Sequence, residues 1–213
     1  MRSCAVISGK NLGELRLNAE EAKRMGADLV EICINDLEDH NDLELLNSFS
    51  LPVILTCTFT KDQIMLSAVR KALKFKVEFV DLDLTFPKDF IEGVFSHARS
   101  NNIKTIISYY PGSFPVLKTA KKLIGDMAIL SKHIKLVLPA KNRKDLESLG
   151  EVFAAATKAG TKIVILNSSD SGEAALDRRN FIGYGKISDG EKCLPSLEAV
   201  KRSIIETAET RSI

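Results

Sequence analysis

This chain is poor in the residues that would announce a metal or redox centre. Its three histidines, His40, His97 and His133, show no ligand spacing. Its four cysteines, Cys4, Cys33, Cys57 and Cys193, include no C-x-x-C pair, which leaves no zinc-ribbon or dithiol motif. Scattered cysteines in or near apolar strands read as small hydrophobes and as reduced thiols of a cytoplasmic protein. No apolar run approaches the ~20 residues of a membrane span, and the stretch Met1–Ile7 is too short for a secretory leader. An excess of either charge is missing too. Thirty basic and 28 acidic side chains leave a net charge of +2, with no basic run interleaved with aromatics, so no nucleic acid is expected as partner.

What is present is enough apolar sequence for a large core. Hydrophobic residues make up 45% of 213 and charged residues 27%, ordinary for a globular protein that needs no disulfides. Short β-branched runs recur at Cys4–Ile7, Leu29–Cys33, Val53–Thr56, Phe79–Asp83, Thr105–Ser108, Ile134–Leu138, Lys162–Leu166 and Phe181–Tyr184. Between them lie segments of helical period: Leu12–Met25, Leu43–Asn47, Lys61–Lys74, Pro87–Asn101, Phe114–Ile124, Lys144–Lys158 and Gly172–Arg178, with Ser196–Glu209 closing the series. Phe90, Ile91, Val94, Phe95 and Ala98 have the spacing of one buried helix face. Pro87 suits a first helical turn, and Ser196 suits an N-cap.

Strand–helix alternation at this spacing predicts parallel strands joined by helical crossovers. Eight units without a linker or composition break predict an α/β fold, a single-domain (β/α)8 TIM barrel over residues 1–213. An open doubly wound sheet is the competitor. The segment Ser8-Gly9-Lys10-Asn11-Leu12-Gly13 after the first strand does not supply its G-x-G-x-x-G loop.

In such a barrel, chemistry belongs at the C-terminal ends of the strands. Alternation makes inward-facing sets of Glu31 with Cys33, Thr56 with Thr58, Asp81 with Asp83, Ser108 with Tyr110, and His133 with Lys135. Polar groups inside parallel strands cost free energy unless paired. They form either a structural network or a site. Lys135, within Ile134-Lys135-Leu136-Val137-Leu138-Pro139, carries the sharpest expectation. Burial of its amine favours the neutral form, the form that attacks a carbonyl. Alternatively, it begins an ordinary strand and snorkels to solvent. The segment Ser168-Ser169-Asp170-Ser171-Gly172 could offer backbone amides to an anion, but Asp170 opposes this, and a plain turn is expected.

Several of these segments resemble the type I 3-dehydroquinate dehydratases. Glu31-Ile32-Cys33-Ile34-Asn35 matches the family's E-x-R-x-D at the glutamate, and Phe79-Val80-Asp81-Leu82-Asp83-Leu84 is similar to its strand-four D-x-E. Ile107-Ser108-Tyr109-Tyr110 follows its S-Y-H motif to the penultimate residue. Ile134–Pro139 resembles the strand of the Schiff-base lysine, Asn142–Leu149 the helix start after it, and Ser196–Lys201 the opening of the last helix. The resemblance implies that Lys135 condenses with the ketone of 3-dehydroquinate and that elimination of water gives 3-dehydroshikimate, a step of chorismate biosynthesis. It implies no metal and no organic cofactor, a homodimer, and a small-molecule substrate as the partner.

The departures define the rest of the expected site. Tyr110 replaces the catalytic histidine, Cys33 the strand-two arginine, Thr58 the strand-three arginine, and Leu194 a glutamine before the last helix. With Lys135 and Tyr110 as the catalytic pair, substrate contacts fall to Glu31, Cys33, Thr58 and Ser8. Arg178 or Arg179 stands in for the missing arginine after strand seven. Three readings follow: a divergent dehydratase, another lysine-dependent lyase or aldolase, or a degenerate barrel that binds a small molecule or partner.

Overall fold

Strands of a parallel sheet are covered on both faces, so they demand near-continuous apolar sequence. In the structure of the protein, a computed structural model, this holds: β3 (Val53–Cys57) and β4 (Phe79–Asp83) are buried at every residue. The structure describes residues 1–168, 177, 179–187 and 194–210, with side chains of the last helix described to 206. The remaining strands are β1 (Arg2–Val6), β2 (Leu29–Cys33), β5 (Lys104–Tyr109), β6 (His133–Leu138), β7 (Lys162–Asn167) and β8 (Ile182–Lys186). One eight-stranded sheet runs β7-β6-β5-β4-β3-β2-β1-β8, so strands adjacent in sequence are adjacent in the sheet. That is the wiring of the expected (β/α)8 barrel. The chain forms two compact units, Cys4–Thr105 and Met1–Ser3 with Ile106–Ile213, divided inside β5 rather than at a linker.

In the unit Cys4–Thr105, α1 (Leu12–Arg24), α2 (Gln63–Ala72) and α3 (Lys88–Ser100) are the helical crossovers. Register aligns Cys33 with Thr56 and Thr56 with Asp81, which puts the three on one face of the sheet. Asn11 caps α1 by accepting from the Glu14 N–H, while Glu14 accepts from the Lys10 N–H. Two expectations need correction here. The segment expected as the second helix is a 3₁₀ turn, Leu43–Ser48, whose buried Leu43 and Leu46 repeat at its three-residue period. Pro87 takes the N-cap position before α3, not its first turn, because its ψ of 137° is extended.

In the other unit, α4 (Leu117–Leu130), α5 (Arg143–Lys158) and α6 (Leu197–Thr210) cover the strands. Helix α4 starts three residues later than expected, since Pro115 disfavours helical backbone at Phe114 and Val116 is extended. Asn142 caps α5 by the device seen at α1: it accepts from the Asp145 N–H, and Asp145 accepts from the Lys141 N–H. Ser196 caps α6 as expected, accepting from Ala199 N–H at 3.2 Å. The expected helix Gly172–Arg178 lies outside the described residues, apart from Asp177.

Buried asparagines knit the strand ends. Asn167 accepts from Ala140 N–H and donates to Ala140 C=O, each at 3.1 Å. Asn180 binds Ile165 likewise, at 2.8 and 3.2 Å. A side-chain amide thus replaces a missing strand neighbour, satisfying buried backbone groups that would otherwise cost stability.

Strand β8 approaches α6 closely. A Cβ on Gly185 would lie 2.7 Å from Leu197 Cα, and one on Gly183 would lie 2.7 Å from Val200 Cγ1. Gly185→Ala is therefore expected to lower stability by about 1–3 kcal/mol in urea unfolding, because backbone cannot step aside. Gly93→Ala, exposed within α3 with nothing inside 4 Å, is expected to raise it by about 0.5–1 kcal/mol.

Candidate active site

Strand β6 builds the centre of the site. Alternation puts His133, Lys135 and Val137 on one face, and Ile134, Leu136 and Leu138 on the other. Lys135 is 2% exposed and ranks among the largest enclosed side chains, so its amine does not reach solvent by snorkelling. In register, Ser108 on β5 flanks it on one side and Val164 on β7 on the other. Its Nζ lies 5.3 Å from the centroid of the Tyr184 ring on β8. The Ser108 hydroxyl is buried and has no hydrogen-bond partner among the described residues. His133, at the start of β6, stacks on Phe181 with ring centroids 5.1 Å apart. Tyr110 stands just past the end of β5 and is exposed.

The unit Cys4–Thr105 holds a second polar group of residues. Thr56 Oγ1 donates to Asp81 Oδ2 at 3.4 Å, and Asp81 is fully buried. Asn35 accepts from Thr58 N–H at 2.8 Å and donates to Thr58 C=O at 3.2 Å, the same double hook made by Asn167 and Asn180. The Cys33 thiol donates to Asn35 Oδ1 at 3.5 Å. Asp83 accepts from both the amide and the hydroxyl of Thr85, each at 2.8 Å, which turns its carboxylate into a local turn. Glu31 and Cys33 are half-buried. Ser8 is exposed, and its carbonyl accepts from Asn18.

Electrostatics fix what the thiols can do. Burial, then the charge of Asp36, pushes the Cys33 thiol up to about 11. Burial, then Cys33 and the acids Asp81 and Asp83, pushes the Cys57 thiol up to about 12. Both keep their protons at neutral pH, so position 33 supplies a neutral, weakly polar surface and no charge for a carboxylate.

Arg179 lies before β8, at the N-terminal end of that strand. Its guanidinium holds Asp177 through two nitrogens, with Nη2–Oδ2 at 2.6 Å, and sits 4.2 Å over the Phe153 ring centroid. Burial works against the Asp177 carboxylate, yet the Arg179 hydrogen bonds and charge hold it below the ordinary range. Arg179 is therefore a stacked, charge-matched side chain at the strand's start. Arg178 and most of the segment Ser168–Gly172 lie outside the described residues; Ser168 donates its N–H to Leu138.

Sequence reasoning missed Tyr184 and the asparagines. Tyr184 had a signal, since Ile182-Gly183-Tyr184-Gly185 alternates bulk with glycine and so sorts the faces of β8. The asparagines had none, because their partners lie 15 to 27 residues away. Among the described residues no group of three His, Cys, Asp or Glu could hold a metal ion, and no helix is long and apolar enough to cross a membrane.

Comparison with known proteins identifies a family and a fold. The model of the type I 3-dehydroquinase family matches residues 3–175. A curated Arabidopsis thaliana protein, a chloroplastic bifunctional 3-dehydroquinate dehydratase/shikimate dehydrogenase, is 21% identical over 218 residues. That match covers 93% of this chain, which spans only 35% of the plant protein. The crystal structure of a Clostridium difficile type I 3-dehydroquinate dehydratase is 18% identical, superposes with a TM-score of 0.86, and covers 98% of this chain and 92% of its own. The Geobacillus kaustophilus 3-dehydroquinate dehydratase is 14% identical with a TM-score of 0.84, over 100% and 92% of the two chains. At these identities the structures establish the fold.

The thiols generate a direct prediction. Alkylation needs the thiolate, and a thiol at about 11 is ionised to about one part in a thousand at pH 8. Iodoacetamide should leave the Cys33 and Cys57 peptides unlabelled in the native protein at pH 8, and label them in denaturant. Native labelling should begin only as pH climbs toward 11. Rapid native labelling at pH 8, read by peptide mass, would contradict the assignment.

Proposed function

Since the chain belongs to the type I 3-dehydroquinase family, we propose that it is a 3-dehydroquinate dehydratase acting through a Schiff base on Lys135. The observation that carries this reading is the enclosed amine: a lysine 2% exposed in an apolar strand, against an aromatic face. Burial favours the neutral amine, whose lone pair adds to the substrate ketone. The carbonyl oxygen takes up two protons, one passed from the attacking amine, and leaves as water, while the nitrogen lone pair forms the C=N⁺ bond. The iminium withdraws electrons from the neighbouring carbon, a base removes a proton there, and the β-hydroxyl departs as water. Hydrolysis of the imine then releases 3-dehydroshikimate and restores Lys135.

The remaining roles are assigned on the same footing. Tyr110, in the family's histidine position and near solvent at the end of β5, handles the proton; a phenol is less suited than an imidazole to proton transfer near neutral pH, so this step is slower than with a histidine. Glu31 is assigned a carboxylate role in the charge balance of the reaction, while Thr58, Cys33 and Ser8 are assigned to the substrate's hydroxyls. The substrate carboxylate calls for a cation. Arg179 is committed to Asp177 and Phe153, so Arg178 is the arginine left for that task. This reading places the protein in the cytoplasm as a homodimer serving the shikimate pathway.

A second reading has one observation in its favour. With a protonated thiol at position 33, that position gives a carboxylate no charge, which suits a barrel that binds a small molecule without turning it over. Incubation with 3-dehydroquinate followed by borohydride, read by intact mass, separates the two when paired with an assay of enone absorbance. The dehydratase reading expects a ligand-sized increment and product formation, both lost in Lys135→Ala, with turnover falling at least about a thousandfold. An unmodified wild-type mass would end the imine mechanism, and an adduct without product would favour binding alone. Glu31→Gln is expected to lower turnover less, by roughly tenfold. Tyr110→Phe should lower kcat more than it raises KM; unchanged turnover would remove Tyr110 from the mechanism.

A further inference from the structure

Tyr184 has no part in the mechanism so far, yet its ring lies against the amine proposed to react. Its ring is fully buried, and the Lys135 Nζ stands 5.3 Å from its centroid. That is within the ~6 Å over which an aromatic face attracts a cation. The backbone behind the ring has nowhere to go. Gly185 already lies so close to Leu197 that a Cβ there would reach 2.7 Å from its Cα, so α6 blocks any retreat of β8. In the sheet register, Lys135 lies beside Ser108 on β5 and Val164 on β7. The positive charge of an iminium formed at this nitrogen therefore falls against the negative face of a fixed ring.

Resting on the imine-forming role of Lys135, we propose that Tyr184 is a catalytic residue through its ring face: it stabilises the iminium over the covalent species whose nitrogen is uncharged. Three species share the bond to Lys135. The carbinolamine forms when the nitrogen lone pair adds to the carbonyl carbon and the oxygen takes a proton; its nitrogen is neutral. The iminium follows when that hydroxyl leaves with a proton as water and the nitrogen pair becomes the second C–N bond, leaving one positive charge. The enamine appears when a base takes the proton from the adjacent carbon, returning electrons to the now neutral nitrogen. Only the middle species gains from the quadrupole of the ring. Tyr184 thus holds the reaction at the stage from which elimination is launched, and its hydroxyl is not required for that effect.

The test replaces Tyr184 with phenylalanine and with 4-fluoro-, 3,5-difluoro- and 3,4,5-trifluorophenylalanine, which drain the ring face while barely altering its size. At saturating 3-dehydroquinate, borohydride delivers hydride to the iminium carbon, and intact mass follows the rate of trapping. Tyr184→Phe is expected within about threefold of wild type, with trapping then falling stepwise by roughly tenfold across the fluorinated series. Thermal midpoints should stay level through the series, which separates the ring's charge distribution from packing. A flat trapping rate across the series would overturn the role of the ring, as would a Phe variant already as slow as the trifluoro one. A wild-type chain that borohydride leaves unmodified would overturn this inference together with the imine mechanism, whereas a modified wild type with a flat series would overturn this inference alone.

Discussion

The site depends on the cost of enclosing an amine. A lysine side chain buried among strand residues forfeits its hydration, and the protein must return that loss through packing, through a polar partner or through function. At Lys135 the surroundings are a hydroxyl, a valine and a tyrosine face. The tyrosine face attracts positive charge at the amine.

Elsewhere the polar groups of the strands are quieted. Asp83 is absorbed by Thr85, Cys33 keeps its proton, and Arg179 is neutralised by Asp177 while stacked on Phe153. At position 33 in β2 the side chain is short, and burial keeps its thiol uncharged. A protonated thiol there leaves no unpaired buried charge in the sheet.

Much of the architecture was legible from local pattern. Strands β2 and β4 begin and end at the expected residues, each run opening directly after an acid, Asp28 or Glu78. Lys135 was legible as a single charge inside an apolar run. The second crossover was misread as a helix because leucines at positions 43, 45 and 46 satisfy either period over so short a stretch. Helix α4 was displaced because the effect of Pro115 on the preceding residue outweighed an apolar Phe114. Tyr184 and the asparagine hooks escaped for a different reason. Their meaning lies in contacts made across strands, and no window of neighbouring residues contains both partners.

The asparagine hooks also set a chemical lifetime for the fold. Each uses the amide nitrogen to donate to a carbonyl and the amide oxygen to accept from the same residue's N–H. Hydrolytic loss of ammonia from one of these side chains would leave a carboxylate facing a carbonyl oxygen, two acceptors in contact inside the protein. One covalent event of ageing would thereby convert a brace between strands into a point of repulsion. Asn167 and Asn180, both about 2% exposed, would give that repulsion no water to relieve it.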